Sequence, residues 1–214
     1  MGKKFSLSFI YYAWNRLFLA CLLILALLSC SKQPALPPLA SDAVILAFGD
    51  SLTFGTGAGK EQSYPAVLAG LIGRTVVNAG IPGEVSEEGL KRLPELLEDE
   101  QPSLLILCHG GNDLLRRQDQ GQLRSNIRQM IELAKQKDIA VVLIAVPEPG
   151  LSLKPPALYQ ELAKEFELPI ETKTIASLMT KSELKSDQVH PNAAGYQRMA
   201  ETMAELLRKS GALP

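Results

Sequence analysis

The sequence predicts a three-layer α/β domain built on a parallel sheet, and three observations carry that prediction. Short apolar runs recur at 44–48, 75–78, 104–108, 139–146 and, more weakly, 168–170. Each run is almost continuously apolar, as strands covered on both faces are. Stretches of helical periodicity lie between them, and such alternation builds parallel sheets through right-handed crossovers. At 214 residues the chain has room for one such domain with a full core and is short for two.

Ahead of the first run the chain has a different character. Residues 1–29 hold Lys3, Lys4 and Arg16 and no acid, and their positions 17–28 are all apolar. That run is too short for a bilayer-spanning helix of ~20 residues and has the layout of an export signal. It ends in Leu27-Leu28-Ser29-Cys30, which resembles the lipobox of bacterial lipoprotein signal peptides. The resemblance implies that Cys30 becomes a lipidated N-terminus and that the protein is exported and held at a membrane by its lipid. Ser31, where an aspartate is associated with inner-membrane retention, implies the outer membrane if the cell has two. An uncleaved signal anchor is the alternative. Residues 31–42 carry three prolines and read as a semi-rigid tether. The expected division is therefore a signal over 1–29, a lipidated cysteine and tether over 30–42, and a domain over 43–214.

Charge and cysteine content narrow the class further. The formal charge is −1, and beyond the leader 19 basic residues face 23 acidic ones, which gives no footprint for nucleic acid. Of three cysteines only Cys108 falls inside the domain, so no internal disulfide can form there. Cys108 ends an apolar run and reads as a small buried hydrophobe rather than a catalytic thiol.

Taken in order, the first run leads directly into "FGDSLTFG", residues 48–55. Ser51 thus stands at a strand's carboxyl end, where α/β sheets bind ligands. It could equally cap the helix that follows, because a serine hydroxyl accepts from unpaired backbone N–H groups. The second run ends in "NAG", residues 78–80, and Leu90, Leu93 and Leu97 then share one helical face. The third ends in "HGGND", residues 109–113, followed by a helical face of Leu123, Ile127, Met130, Ile131 and Ala134. A last helix is marked by Tyr196, Met199, Met203 and Leu206, with Gly211 as its stop. Just before it stands "DQVHPN", residues 187–192.

These four blocks, in this order, resemble the SGNH hydrolases, also called GDSL esterases and lipases. The family's signature serine, glycine, asparagine and histidine match Ser51, Gly80, Asn112 and His190. The resemblance runs from residue 43 to near the end and is closest to the compact bacterial arylesterase, thioesterase and lysophospholipase group. It implies a flavodoxin-like, five-stranded parallel sheet and serine-dependent ester hydrolysis with no cofactor. It also implies an oxyanion hole made from the N–H groups of Ser51 and Gly80 and the amide of Asn112.

The residues support that chemistry on their own terms. A serine hydroxyl is a weak nucleophile and needs a neighbouring base that titrates near neutrality, as histidine does. Only His109 and His190 are available. Asp187, three residues before His190, can reach its far ring nitrogen and fix the tautomer. His109 has no acid at a suitable spacing and is expected on the pocket wall or behind it, with an influence on substrate choice. Asp50 and Asp113 are expected to bond local backbone. Leu114, Leu115, Leu151, Leu153, Pro155 and Pro156 are candidates to hold an acyl chain, with ordinary packing as the alternative.

Other motifs fail. There is no G-x-S-x-G elbow. "GTGAGKE", residues 55–61, has Phe54 and Glu61 where a phosphate loop needs glycine and a hydroxyl residue. Two isolated histidines and one buried cysteine make a metal site unexpected. The functional expectation is hydrolysis of aryl or acyl esters, with thioesters and lysophospholipids in range, through an acyl-enzyme on Ser51. A carbohydrate or cell-wall O-acetyl esterase is the nearest alternative, and a non-catalytic envelope lipoprotein is the alternative of another kind.

Overall fold

Val44–Gly49 (β1) runs beside Thr75–Gly80 (β2), with Val44 opposite Thr75 and Gly49 opposite Gly80. On its other side β1 pairs with Leu104–Cys108 (β3), β3 with Ala140–Ile144 (β4), and β4 with Ile170–Glu171 (β5). Every pairing is parallel, and the strand order is β2-β1-β3-β4-β5. The computed structural model describes residues 34–150 and 152–214, and within them the expected flavodoxin-like sheet is present. The export signal and Cys30 lie outside the described residues.

Strand character follows position. The central strands β1, β3 and β4 are almost wholly buried, as their unbroken apolar runs require. The edge strand β2 is only half covered, with Thr75 and Asn78 exposed. The fifth strand forms later than its apolar run. Leu168 still donates its N–H to Ala163 as the preceding helix ends, so pairing begins at Ile170.

Two helical layers sandwich the sheet. Tyr64–Ile72 (after the short helix Ser51–Phe54; α2 and α1) packs on Ala193–Lys209, with Thr174–Met179 beside it. On the other face Ser86–Glu100 (α3) packs on Gln120–Lys135 (α5), which also meets Ala157–Glu165 (α6). Between these, Gly111–Leu115 (α4) follows β3; Thr174–Met179 and Ala193–Lys209 are α7 and α8. The faces expected for α5 and α8 are buried. Each large apolar side chain so buried contributes about 1.5–3 kcal/mol. In α3 the innermost row is Gly89, Leu93 and Leu97, while Leu90 is only half-covered.

The tether is shorter than expected. Leu36 donates its N–H to the Ser210 carbonyl (2.8 Å) and Leu39 to that of Ala212 (2.9 Å). The Leu39 side chain is 8% exposed within the core, and Arg74 Nη2 binds the Leu39 carbonyl at 3.1 Å. Prolines 37 and 38 keep the backbone extended and have no N–H to leave unpaired. The packed body therefore begins near Leu36 rather than Ala43.

Candidate active site

β1 hands the chain to α1 through Asp50, and this junction decides what Ser51 is free to do. The Asp50 carboxylate accepts from the Leu52 N–H at 3.1 Å, so Asp50 caps the helix and the Ser51 hydroxyl does not. Asp50 is 1% exposed, and burial pushes its pKa up against the lowering effect of His109 and of backbone N–H groups. Ser51 Oγ instead lies 2.9 Å from His190 Nε2.

His190 is presented by a tight turn before α8. Ser186 donates its N–H to the His190 carbonyl at 2.9 Å, and Asn192 caps α8 by accepting from the Gly195 N–H. Asp187 organises the turn from within. Its Oδ1 accepts from the N–H groups of Val189 and His190, both at 2.8 Å, and its Oδ2 lies 2.8 Å from His190 Nδ1. Partial burial pushes the Asp187 pKa up, but these hydrogen bonds outweigh it and hold the carboxyl below its usual range. The structure thus brings Ser51, His190 and Asp187 into one hydrogen-bonded line.

Gly80 and Asn112 close in from the neighbouring strands, on either side of β1. Gly80 is required for space. A Cβ there would come within 2.1 Å of the Phe54 nitrogen, so its absence lets α1 sit against β2. Its N–H donates to Asn78 Oδ1 at 3.0 Å. Asn112 lies in the first turn of α4, after Gly110, whose φ of 109° only glycine adopts without strain. Asn112 Nδ2 donates to the Glu84 carbonyl at 3.0 Å and approaches Asp50 Oδ2 at 3.4 Å, so the second hydrogen is only weakly engaged.

Beside this line opens a cleft of about 440 Å³ that Ser51, Asn112 and His190 also line. Its apolar wall includes Leu115, Val146, Leu153, Ile175, Met179 and Val189. The expected acyl-binding residues therefore divide. Leu115, 46% exposed, and Leu153 face the cleft, while Leu114 packs in the core and Pro155 and Pro156 do not line it. Leu151 lies outside the described residues.

His109 takes the second of its two expected places, behind the cleft wall, but its partner differs from expectation. It is fully buried, off the cleft wall, and it has an acid after all: Glu84 Oε2 lies 3.0 Å from its Nε2. Its Nδ1 accepts from the Gly110 N–H at 3.0 Å, so the lone pair a base would use is occupied. Asp113 is likewise not local. Its carboxylate takes the N–H and hydroxyl of Ser86 at the start of α3, 27 residues away. Cys108 is buried, and burial pushes its thiol well above the usual range, which keeps it protonated and inert. Ile175, Met179 and Glu84 escaped sequence reasoning. The first two stand one turn apart on α7, a spacing indistinguishable from core packing.

Four blocks on four strand or helix ends, converging at the switch point of a 2-1-3-4-5 sheet, correspond to a known family. Residues 47–198 match the GDSL-like lipase/acylhydrolase family. The chain belongs to that family. As a GDSL, or SGNH, hydrolase it is an esterase or acylhydrolase by class. It is 31% identical over 172 residues to thioesterase 1/protease 1/lysophospholipase L1 of Escherichia coli K12, covering 77% of this chain and 83% of the relative. It is also 31% identical to the arylesterase of Vibrio mimicus, over 77% of this chain and 88% of that one. Among solved structures, the psychrotrophic esterase EstA of a Pseudoalteromonas species, inhibited by monoethylphosphonate, shares the fold. That match has a TM-score of 0.71 at 23% identity, over 78% of this chain and 98% of EstA.

Proposed function

We propose that this SGNH hydrolase cleaves carboxylic esters of medium or long acyl chains through an acyl-enzyme on Ser51. The observation that carries the reading is the 2.9 Å contact between His190 Nε2 and Ser51 Oγ, beside an apolar cleft. His190 takes the Ser51 proton as Oγ attacks the acyl carbonyl. The N–H groups of Ser51 and Gly80 and the Asn112 amide hold the tetrahedral oxyanion. Gly80 N–H then shares or leaves its Asn78 acceptor, and Asn112 uses the hydrogen now loosely aimed at Asp50. His190 protonates the departing alcohol, and water released to the site is deprotonated by the same ring for deacylation. Asp187, held ionised, stabilises the imidazolium and keeps Nε2 toward serine.

An acyl chain suits the wall formed by Leu115, Ile175 and Met179, which an acetyl group would leave uncovered. A chain-length series of aryl and thio esters, with sugar acetates alongside, tests this. Efficiency should climb from acetate toward longer acyl groups. A preference for sugar acetates would move the protein to the O-acetyl esterase reading, and no turnover at all to the non-catalytic one.

We further propose that Cys30 is the lipidated N-terminus and that the domain works in the cell envelope. The basic, apolar leader and the residues before Cys30 support this.

A further inference from the structure

We propose that Arg92, Glu84 and His109 form a largely buried strut that positions the three oxyanion donors. The inference rests on the reading of Ser51 as nucleophile and extends it to residues that touch no substrate.

The strut starts on α3. Arg92 grips Glu84 with two donors, Nε to Oε1 at 2.6 Å and Nη2 to Oε2 at 2.7 Å. The same Nη2 binds the Ala79 carbonyl at 2.8 Å and reaches that of Gly49 at 3.4 Å. Its guanidinium lies 4.1 Å from the centre of the Phe48 ring, which fixes its plane. Glu84 passes the constraint on, accepting from His109 Nε2 at 3.0 Å. His109 closes the chain by accepting from the Gly110 N–H through Nδ1, and that acceptance sets its tautomer with the proton on Nε2.

Each end of this network lies one step from a donor. The Ala79 carbonyl and the Gly80 N–H belong to one peptide unit. A cation on the carbonyl fixes that unit's plane and strengthens its N–H as a donor. The Glu84 carbonyl holds Asn112 Nδ2 at 3.0 Å, so the loop that Arg92 and His109 anchor through the Glu84 side chain also aims the Asn112 amide. His109 fastens Gly110 two residues before Asn112. Gly49, at the far end, precedes the Asp50–Ser51 peptide.

The fold makes room for the strut. At Gly89 on α3 a Cβ would come within 2.4 Å of His109 Nε2 and 3.3 Å of Glu84 Oε2. Glycine in the interior of a helix costs ~1 kcal/mol relative to alanine, and here the imidazole occupies the space it leaves. A histidine that served only to fill the core would need neither a fixed tautomer nor a carboxylate at 5% exposure bridging it to an arginine.

The test compares His109→Leu, His109→Gln and Arg92→Lys with wild type for kcat, KM and melting temperature on one ester. Leucine keeps the apolar volume and breaks the link. Glutamine restores a donor toward Glu84. Arg92→Lys keeps the charge and loses the fork, and it sits partly at the surface, so its fold does not depend on the His109 slot. Removing a whole oxyanion donor costs ~10²–10³ in kcat. A misaligned set should cost less, about tenfold for His109→Leu and about thirtyfold for Arg92→Lys, with KM within about threefold of wild type. Glutamine should recover most of the loss. Turnover within twofold of wild type in His109→Leu and Arg92→Lys would overturn the strut while leaving Ser51 chemistry intact. So would a loss that follows melting temperature and that glutamine does not rescue. A wild-type protein that turns over no ester would defeat the reading of the site, and the strut with it.

Discussion

His190 Nε2 and Ser51 Oγ meet at 2.9 Å although 139 residues of chain separate them. The sheet creates that proximity. Ser51 follows β1 at the centre, and the turn carrying His190 is held over it by Asp187 and the start of α8.

Removing the base should therefore be far more costly than removing its rival. His190→Ala is expected to lower kcat by on the order of 10⁴-fold or more, since among the described residues His190 is the side chain that meets Ser51 Oγ. His109→Ala should retain measurable turnover, because its Nδ1 lone pair already accepts from Gly110. Steady-state kinetics on both folded variants decide between them. The reverse order of losses would exchange the two roles.

Asn112→Ala should separate oxyanion binding from turn formation. The donor contributes most when the carbonyl becomes an alkoxide, so kcat should fall ~10²–10³-fold with KM nearly unchanged. A residue that only shapes the Gly110–Asn112 turn would instead lower melting temperature and leave kcat within a few-fold of wild type.

Leu115→Ala tests the acyl cleft at little structural risk, because Leu115 is among the exposed large apolar residues. Lost contact with a long acyl chain is uniform binding energy, about 1–2 kcal/mol for a partly covered leucine. KM for long-chain esters should rise about fivefold to thirtyfold at constant kcat, and acetate esters should be unaffected. An equal effect on acetate and long-chain esters would remove Leu115 from the acyl path.

Glu84 links the strut to acid stability. Burial pushes its pKa up, yet the bonds from His109 and Arg92 win and hold it below its usual range. A carboxyl depressed in the folded state stabilises the protein above its unfolded value of about 4.3. That contribution is lost as pH falls through the folded value. Wild type should thus lose melting temperature below about pH 4.3, and Glu84→Gln should show a shallower loss over the same range from a lower plateau. Parallel curves would mean that Glu84 ionisation adds nothing to the fold.

How much of this was legible in the residues varies with the kind of signal. β1 and β3 are unbroken apolar runs and were readable because both their faces are buried. Ser51 and His190 were readable because the chain has so few candidate bases. Glu84 was not, since its partner His109 is 25 residues away and neither belongs to a periodic pattern. The docking of Leu36 and Leu39 on residues 210–212 escaped for the same reason: pairing across nearly the whole chain leaves no local trace. Proline content marked an extended backbone there and not what it packs against.

The leader carries its own prediction. Cys30→Ser should abolish incorporation of a fatty-acid label while the domain stays folded and active. Label retained by that variant, or a mature N-terminus elsewhere than Cys30, would refute lipidation at this residue.

The central claim is a covalent acyl group on Ser51. Rapid quench of the protein during turnover of a p-nitrophenyl ester, followed by peptide mass analysis, reads it directly. A mass increase of one acyl group is expected on the peptide containing Ser51, accumulating within the first turnover and absent in Ser51→Ala. An acyl group found on another residue, or wild-type turnover by Ser51→Ala, would contradict it.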